Sequence, residues 1–357
     1  MNNREKTALY RIVFATVMAI VLAVLVMFNS VYNTGASFEA NMSKPVEESE
    51  ITPEAPITNI SEPEDSYHLI RLTFGGTCTP ASIMGSTVYG TFNSMIKEVG
   101  TDYFFKRLSN IFNEDNLTLV GCNTVISDSD ELTPSADASE WYLTSSDSMD
   151  IFTSSGVDAI SLECPRNMGY GWVGFAELKA SVNDTNLMWG DSGKAIYQSF
   201  NGIDVGIYCC ILRESDRDGI IGWIEGATQR NDFVVLYVCD KDAGATAPSD
   251  EKIDLLRAYV DAGADLIVAS NGTNLQYAEK YGDGYIAYSL GALLDGSSKY
   301  PEKYTALLQV SIKASDGEIF EVGYDFIPLQ TYDDEHSWQP SVLEDGTEKK
   351  SVLDLLN

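Results

Sequence analysis

The chain has 357 residues, 44% hydrophobic, 11% aromatic and 21% charged, which is the composition of a globular protein with a sizeable core. Its 23 Lys and Arg face 53 Asp and Glu, a formal net charge of -30. Such a surface repels nucleic acid and anionic lipid headgroups, and repels a soluble polyanion unless a cation bridges the two, so no nucleic-acid partner is expected.

Residues 12–28 read IVFATVMAIVLAVLVMF, with Thr16 the only polar residue, behind Arg4, Lys6 and Arg11. That run is long enough to cross a bilayer, and the positive flank places residues 1–11 in the cytoplasm and everything after the run outside it. A cleavable signal peptide is the rival reading, but the apolar run is longer than a usual signal core and NTGASFEA is a poor cleavage site. An uncleaved single-pass anchor in the cell membrane is expected. Residues 29–66 follow as an acidic, Pro- and Glu-rich linker, self-repelling and extended.

From residue 67 to residue 330, strands alternate with helical patterns. HLIRLTF (68–74) leads into the loop GGTCTP; YFFKRLSNIFNE (103–114) has helical spacing before the strand LTLVGC (117–122). VDAISLE (157–163) precedes a helical GFAELKASVND, and DVGIYCCIL (204–212), FVVLYVCD (233–240), ADLIVA (264–269) and YIAYSL (285–290) read as further strands. SDEKIDLLRAYVDAG is a capped helix with Ser249 as N-cap, Lys252 instead of Glu at the third helical position, and Gly263 past its end. Asp316-Gly317 between two strand patterns signals a hairpin. The alternation predicts a layered α/β domain. Residues 331–357 read as an acidic C-terminal tail.

The order of short motifs resembles the CapA family of capsule and poly-γ-glutamate biosynthesis proteins, from about Leu69 to Leu329. The carriers are LTFGGTCTP, NLTLVGCNTVI, GVDAISLECPRNMGYGWVGF, FVVLYVCDKD, YVDAGADLIVASNGTNLQ and YIAYSLGALL. The resemblance implies an α-β-β-α sandwich of the calcineurin-like metallophosphoesterase type, a role in a cell-surface polymer, and synthetase or export subunits in the membrane as partners. It also shows what this chain has exchanged. The family's Asp of Gly-Asp-Val is Gly76, the Asn and Glu of Asn-Leu-Glu are Gly121 and Asn123, Asn-Asn-His is Cys164-Pro165-Arg166, the following Asp is Gly169, and the His of His-Trp-Gly-Glu is Cys239. The His-rich cluster after the strand ADLIVA becomes Ser270, Asn271, Gly272 and Thr273.

A count of ligands agrees without the family. Catalytic divalent metals are held by imidazole and carboxylate, and the only two histidines, His68 and His336, follow no predicted inner strand. A vestigial cleft is therefore expected around Gly76, Asn123, Arg166, Cys239, Ser270, Asn271 and Thr273, with no catalytic residue, no metal and no cofactor. Cys78, Cys122, Cys164 and Cys239 fall at or beside the exchanged positions; they read as buried space-fillers, as disulfides, or as a thiolate site for a soft metal. Arg166 is expected to pair with Glu163, Asp240 or Asp242, or to receive an anionic ligand. The GDSG of residues 190–193 lacks a histidine for a triad, and the DKD of 240–242 reads as solvated carboxylates. The expected function is a membrane-anchored, non-catalytic support for polymer synthesis or export. A hydrolase with a rearranged metal site and a small anionic-ligand module stand as alternatives.

Overall fold

The structure is a computed structural model that describes residues 67–86, 90–240 and 244–357. The strands in chain order are β1 (His68–Thr79), β2 (Leu117–Cys122), β3 (Val125–Ile126), β4 (Leu143–Thr144), β5 (Ala159–Ser161), β6 (Met188–Gly190), β7 (Ile196–Phe200) and β8 (Ile203–Ile211). They continue with β9 (Phe233–Cys239), β10 (Leu266–Ser270), β11 (Leu275–Tyr281), β12 (Gly284–Leu290), β13 (Ala292–Asp295), β14 (Tyr304–Ser315), β15 (Glu318–Gln330) and β16 (Ser341–Val342). One sheet runs β16-β15-β14-β1-β2-β5-β6, with β13 beside the end of β1; the other runs β11-β12-β10-β9-β8-β7; β3 and β4 form a small pair.

The layering follows from strand periodicity. All seven residues of β9 are buried, because both of its faces are covered. Phe233, Val235, Tyr237 and Cys239 point into the core between the sheets, whereas Val234, Leu236 and Val238 meet the helices Arg217–Ala227 and Asp250–Asp261 on the outside. In the first sheet Leu117 and Leu119 point inward, and Val120 and Cys122 meet an outer layer that includes the helix Gly171–Asn183. Two sheets thus pack face to face between two helical layers. Each buried Leu, Ile, Val or Phe contributes about 1.5–3 kcal/mol.

The parallel pairs β1–β2–β5 and β8–β9–β10–β12 aim their C-terminal ends the same way. The two sets meet where the Tyr237 hydroxyl donates to Gly75 O at 2.8 Å and Thr77 N donates to Ser270 Oγ at 3.2 Å. Strand ends of this kind are where an α/β fold leaves room for a ligand.

Several expectations change. The helical pattern of 103–114 yields a 3-10 turn at Thr101–Tyr103 and a helix only over Ser109–Glu114, with Phe104, Phe105 and Leu108 all inward. β7 and β11 are strands that the pattern reading leaves out. The acidic tail belongs to the fold. Trp338 is buried and its ring nitrogen donates to Asp295 O and Ser298 O, β16 extends the first sheet, and Val352 and Leu356 of the helix Thr347–Leu356 pack on Leu275 and Ala306. Apolar residues spaced along an acidic stretch were enough to dock it. The anchor expected over residues 12–28, its flank 1–11 and the linker 29–66 lie outside the described residues. Among the described residues no helix is long and apolar enough to cross a membrane.

Candidate functional site

The first exchanged position is closed by backbone. A Cβ added at Gly76 would stand 2.0 Å from Gly291 O and 2.9 Å from Gly291 C, so no aspartate fits there without moving the strand. Gly291 itself holds φ at +74°, a region glycine enters freely. The second position is closed by side chains: a Cβ at Gly121 would meet Tyr237 Oη at 3.0 Å and Cys164 Sγ at 3.1 Å. Burial, with neighbouring thiols adding to it, pushes the Tyr237 phenol well above its ordinary value, so it stays a neutral donor to Gly75 O.

The loop after β10 is satisfied by its own surroundings. Ser270 Oγ donates to Gly291 O at 2.6 Å and accepts from Thr77 N at 3.2 Å and Gly272 N at 3.3 Å. Asn271 donates from Nδ2 to Ala245 O and accepts from Thr273 N, and Thr273 Oγ1 accepts from Gly244 N at 2.7 Å. The hydroxyl and amide groups standing where imidazoles would coordinate a metal are used to hold the loop.

Above this floor lies a cavity of about 440 Å³ whose lining includes Thr77, Asn123, Glu140, Arg166, Asp240 and Gly272. The 3-10 turn Pro165–Met168, following β5, carries Arg166. Its backbone N–H donates to Asn123 Oδ1 at 2.9 Å. Its guanidinium donates from Nη1 to Thr79 Oγ1 at 3.0 Å and to Asp295 Oδ1 at 3.4 Å, has Nη2 3.8 Å from Glu140 Oε2, and lies over the Tyr142 ring at 4.3 Å. Its side chain is 25% exposed.

These contacts correct the expected pairings of Arg166. Glu163 accepts from the backbone and hydroxyl of Ser192 instead, within the GDSG turn. Asp240 is buried and pairs with Lys252 at 2.6 Å. Asp242 lies outside the described residues. Asp191 of the same GDSG turn pairs with Lys179 and accepts from Gly193 N, which makes this segment a structural turn and no nucleophile elbow.

All six cysteines are free and buried, so the disulfide reading is corrected. Cys78 and Cys122 face the outer helices; Cys164 and Cys239 face the core between the sheets. Burial raises the Cys122 thiol to about 12 and pushes Cys78 and Cys164 up as well, a hydrogen bond with Cys239 adding to the shift of Cys164. Neutral thiols divided between the inter-sheet core and an outer layer make no thiolate cage, and among the described residues no three His, Cys, Asp or Glu side chains stand together as metal ligands. By the chemistry of this donor set, the residues present do not fit the divalent metal centre of the metallophosphoesterase type.

The family model of the bacterial capsule synthesis protein PGA_cap matches residues 71–297, more than half of the chain. The chain belongs to this family. No curated protein sequence matches it. Among solved structures, this PGA_cap chain is similar to a hypothetical protein from Thermus thermophilus, at 13% identity over 72% of this chain and 99% of that one, with a TM-score of 0.44. It is also similar to a novel phosphatase from Mycoplasma pneumoniae, at 12% identity over 74% and 95% of the two chains, with a TM-score of 0.43.

Four residues of this PGA_cap site escaped the sequence reading: Glu140, Tyr142, Lys252 and Asp295. Only Lys252 left a signal. A lysine in the first turn of a helix opposes the helix dipole, and here it is offset by Asp240, Gln276 Oε1 and Tyr288 O around a buried ammonium. Asp295 and Glu140 lie far from Arg166 in sequence, and only strand order brings them near.

Proposed function

We infer that this chain is a membrane-anchored, non-catalytic member of the PGA_cap family that supports the synthesis or export of a cell-surface polymer of the capsule or poly-γ-glutamate type. Its extracytoplasmic domain keeps the layered form of the metallophosphoesterase type, and its working partners are synthetase or export subunits in the same membrane. The observation that carries the non-catalytic reading is the closed strand end at Gly76: the position where the family carries a metal-site aspartate has 2.0 Å between a would-be Cβ and Gly291 O. A two-metal hydrolase needs ligands that hold both ions about 3.5–4 Å apart and activate a water. Ser270, Asn271 and Thr273 spend their polar groups on one another and on neighbouring backbone. The anchor rests on the apolar run of residues 12–28 behind three basic residues.

The test is elemental analysis of the purified full-length chain together with an assay on bis(p-nitrophenyl) phosphate in manganese, iron or zinc. The expected result is substoichiometric metal and no turnover above buffer. One or two equivalents of tightly held metal with phosphodiester hydrolysis would overturn the reading. Deletion of residues 1–28 should release the protein from the membrane fraction, and its retention there would remove the anchor from the proposal.

A further inference from the structure

The cleft carries donors and acceptors of both kinds at close quarters, and this decides what chemistry it can accept. On the donor side stand Arg166 and the side-chain amide of Asn123. Asn123 is 5% exposed, and its Oδ1 is committed to the Arg166 N–H, which fixes the amide orientation. Its Nδ2 has no hydrogen-bond partner among the described residues. It lies close to Gly272, where an added Cβ would stand 3.9 Å from Nδ2 and 3.5 Å from Thr77 Oγ1. Gly272 holds φ at +76° and carries no side chain, so this space stays open. On the acceptor side stand Asp137 and Glu140, while Asp240 in the same lining is committed to Lys252.

A phosphate or carboxylate entering this cavity would meet Arg166 already compensated by Asp295 and Glu140, with the Asp137 carboxylate in the same lining. A simple cation would meet the guanidinium and the amide donor. A hydroxyl group both donates and accepts, and so satisfies the Asn123 amide and the carboxylates together. The cavity, about 440 Å³, falls within the range of small-molecule sites.

We propose that the cleft between Asn123, Arg166 and Gly272 binds an uncharged, polyhydroxylated ligand, a neutral sugar unit, and refuses phosphate and glutamyl carboxylates. This rests on the non-catalytic reading of the same cleft. Asn123 donates to a ring hydroxyl, Asp137 and Glu140 accept from neighbouring hydroxyls, and the backbone at Gly272 lies beside the Asn123 amide on the cleft floor.

The experiment is a titration of the full-length chain, in a detergent without a sugar headgroup, by calorimetry and saturation-transfer NMR. The neutral probes are glucose, galactose, N-acetylglucosamine, cellobiose, lactose and chitobiose; the anionic probes are inorganic phosphate and tri-γ-glutamate. At least one neutral probe should bind saturably, and neither anion should. Asn123→Asp keeps the acceptor for the Arg166 N–H and removes the donor, and should weaken sugar binding at least about tenfold with unchanged circular dichroism. Asp137→Asn, on the exposed rim, should weaken it by a smaller factor and guards against a folding defect in the first variant. Absence of binding by every neutral probe, binding undiminished in both variants, or tighter binding of phosphate or tri-γ-glutamate would each overturn the proposal. The metal and phosphodiesterase assays decide the non-catalytic reading separately, so a failure of that reading is told apart from a failure of sugar binding.

Discussion

Lys252 and Arg166 both bring positive charge to the strand ends, from opposite sheets and in opposite ways. Lys252 has a side chain 2% exposed, and its ammonium is enclosed by Asp240, Gln276 Oε1 and Tyr288 O. Arg166 keeps a quarter of its side chain in contact with solvent, with its two ion-pair distances at 3.4 and 3.8 Å and its plane over Tyr142. Removing one partner of a buried pair strands the other in low dielectric, whereas an exposed pair is screened. Lys252 is thus part of what holds the second sheet to the loop after β9, and Arg166 is the cation left facing the cleft.

The largest expected effect breaks the buried side. Lys252→Met should lower unfolding stability by about 3–5 kcal/mol in urea titration, and Asp240→Asn added to it should restore part of the loss. A loss near that of an exposed pair would erase the contrast between the two cations. Gly76→Asp, which reinstates the family carboxylate, should cost about 3 kcal/mol through the clash with Gly291 O and recruit no manganese in equilibrium dialysis. Stable protein with bound manganese would show that the strand end yields. Arg166→Met should cost only about 1 kcal/mol, from the weak pairs and the contact with Tyr142.

The smallest effect comes from the opposite end of the first sheet. Burial raises Asp115, just before β2, to about 6, and one of its oxygens is buried without a partner. Between the ordinary carboxylate value and about 6 the folded protein holds this proton more tightly than the unfolded chain does. Stability therefore falls as pH rises through that window, and the cost is complete above it. Asp115→Asn should gain under about 1 kcal/mol at neutral pH and lose the gain near pH 4, read as melting temperature against pH, with sugar binding at the cleft unchanged.

Much of the fold is legible because its signals are local. The hairpin at Asp316-Gly317 forms with φ of 55° and 81°, as a turn of two left-handed residues requires. Ser249 Oγ accepts from Lys252 N and Gly263 takes positive φ, so the helix Asp250–Asp261 begins and ends where its caps place it. The platform after β10 was legible as polar and without histidine. Its self-satisfied network was not, because the acceptor of Ser270 is a carbonyl 21 residues away on the strand-end loop at Gly291.

Sequence by itself determined the inner strands β1, β2, β8, β9, β10 and β12, the caps, the charge balance and the absence of imidazole at the strand ends, since each depends on residue type and on spacing within a few positions. Tertiary structure alone decided that Arg166 meets Asp295 and Glu140 and not Glu163 or Asp240, that Gly76 touches Gly291, and that the acidic C-terminal segment docks through Trp338. Those outcomes depend on which strands lie side by side and on the few ångströms left between them, distances that no period along the chain encodes.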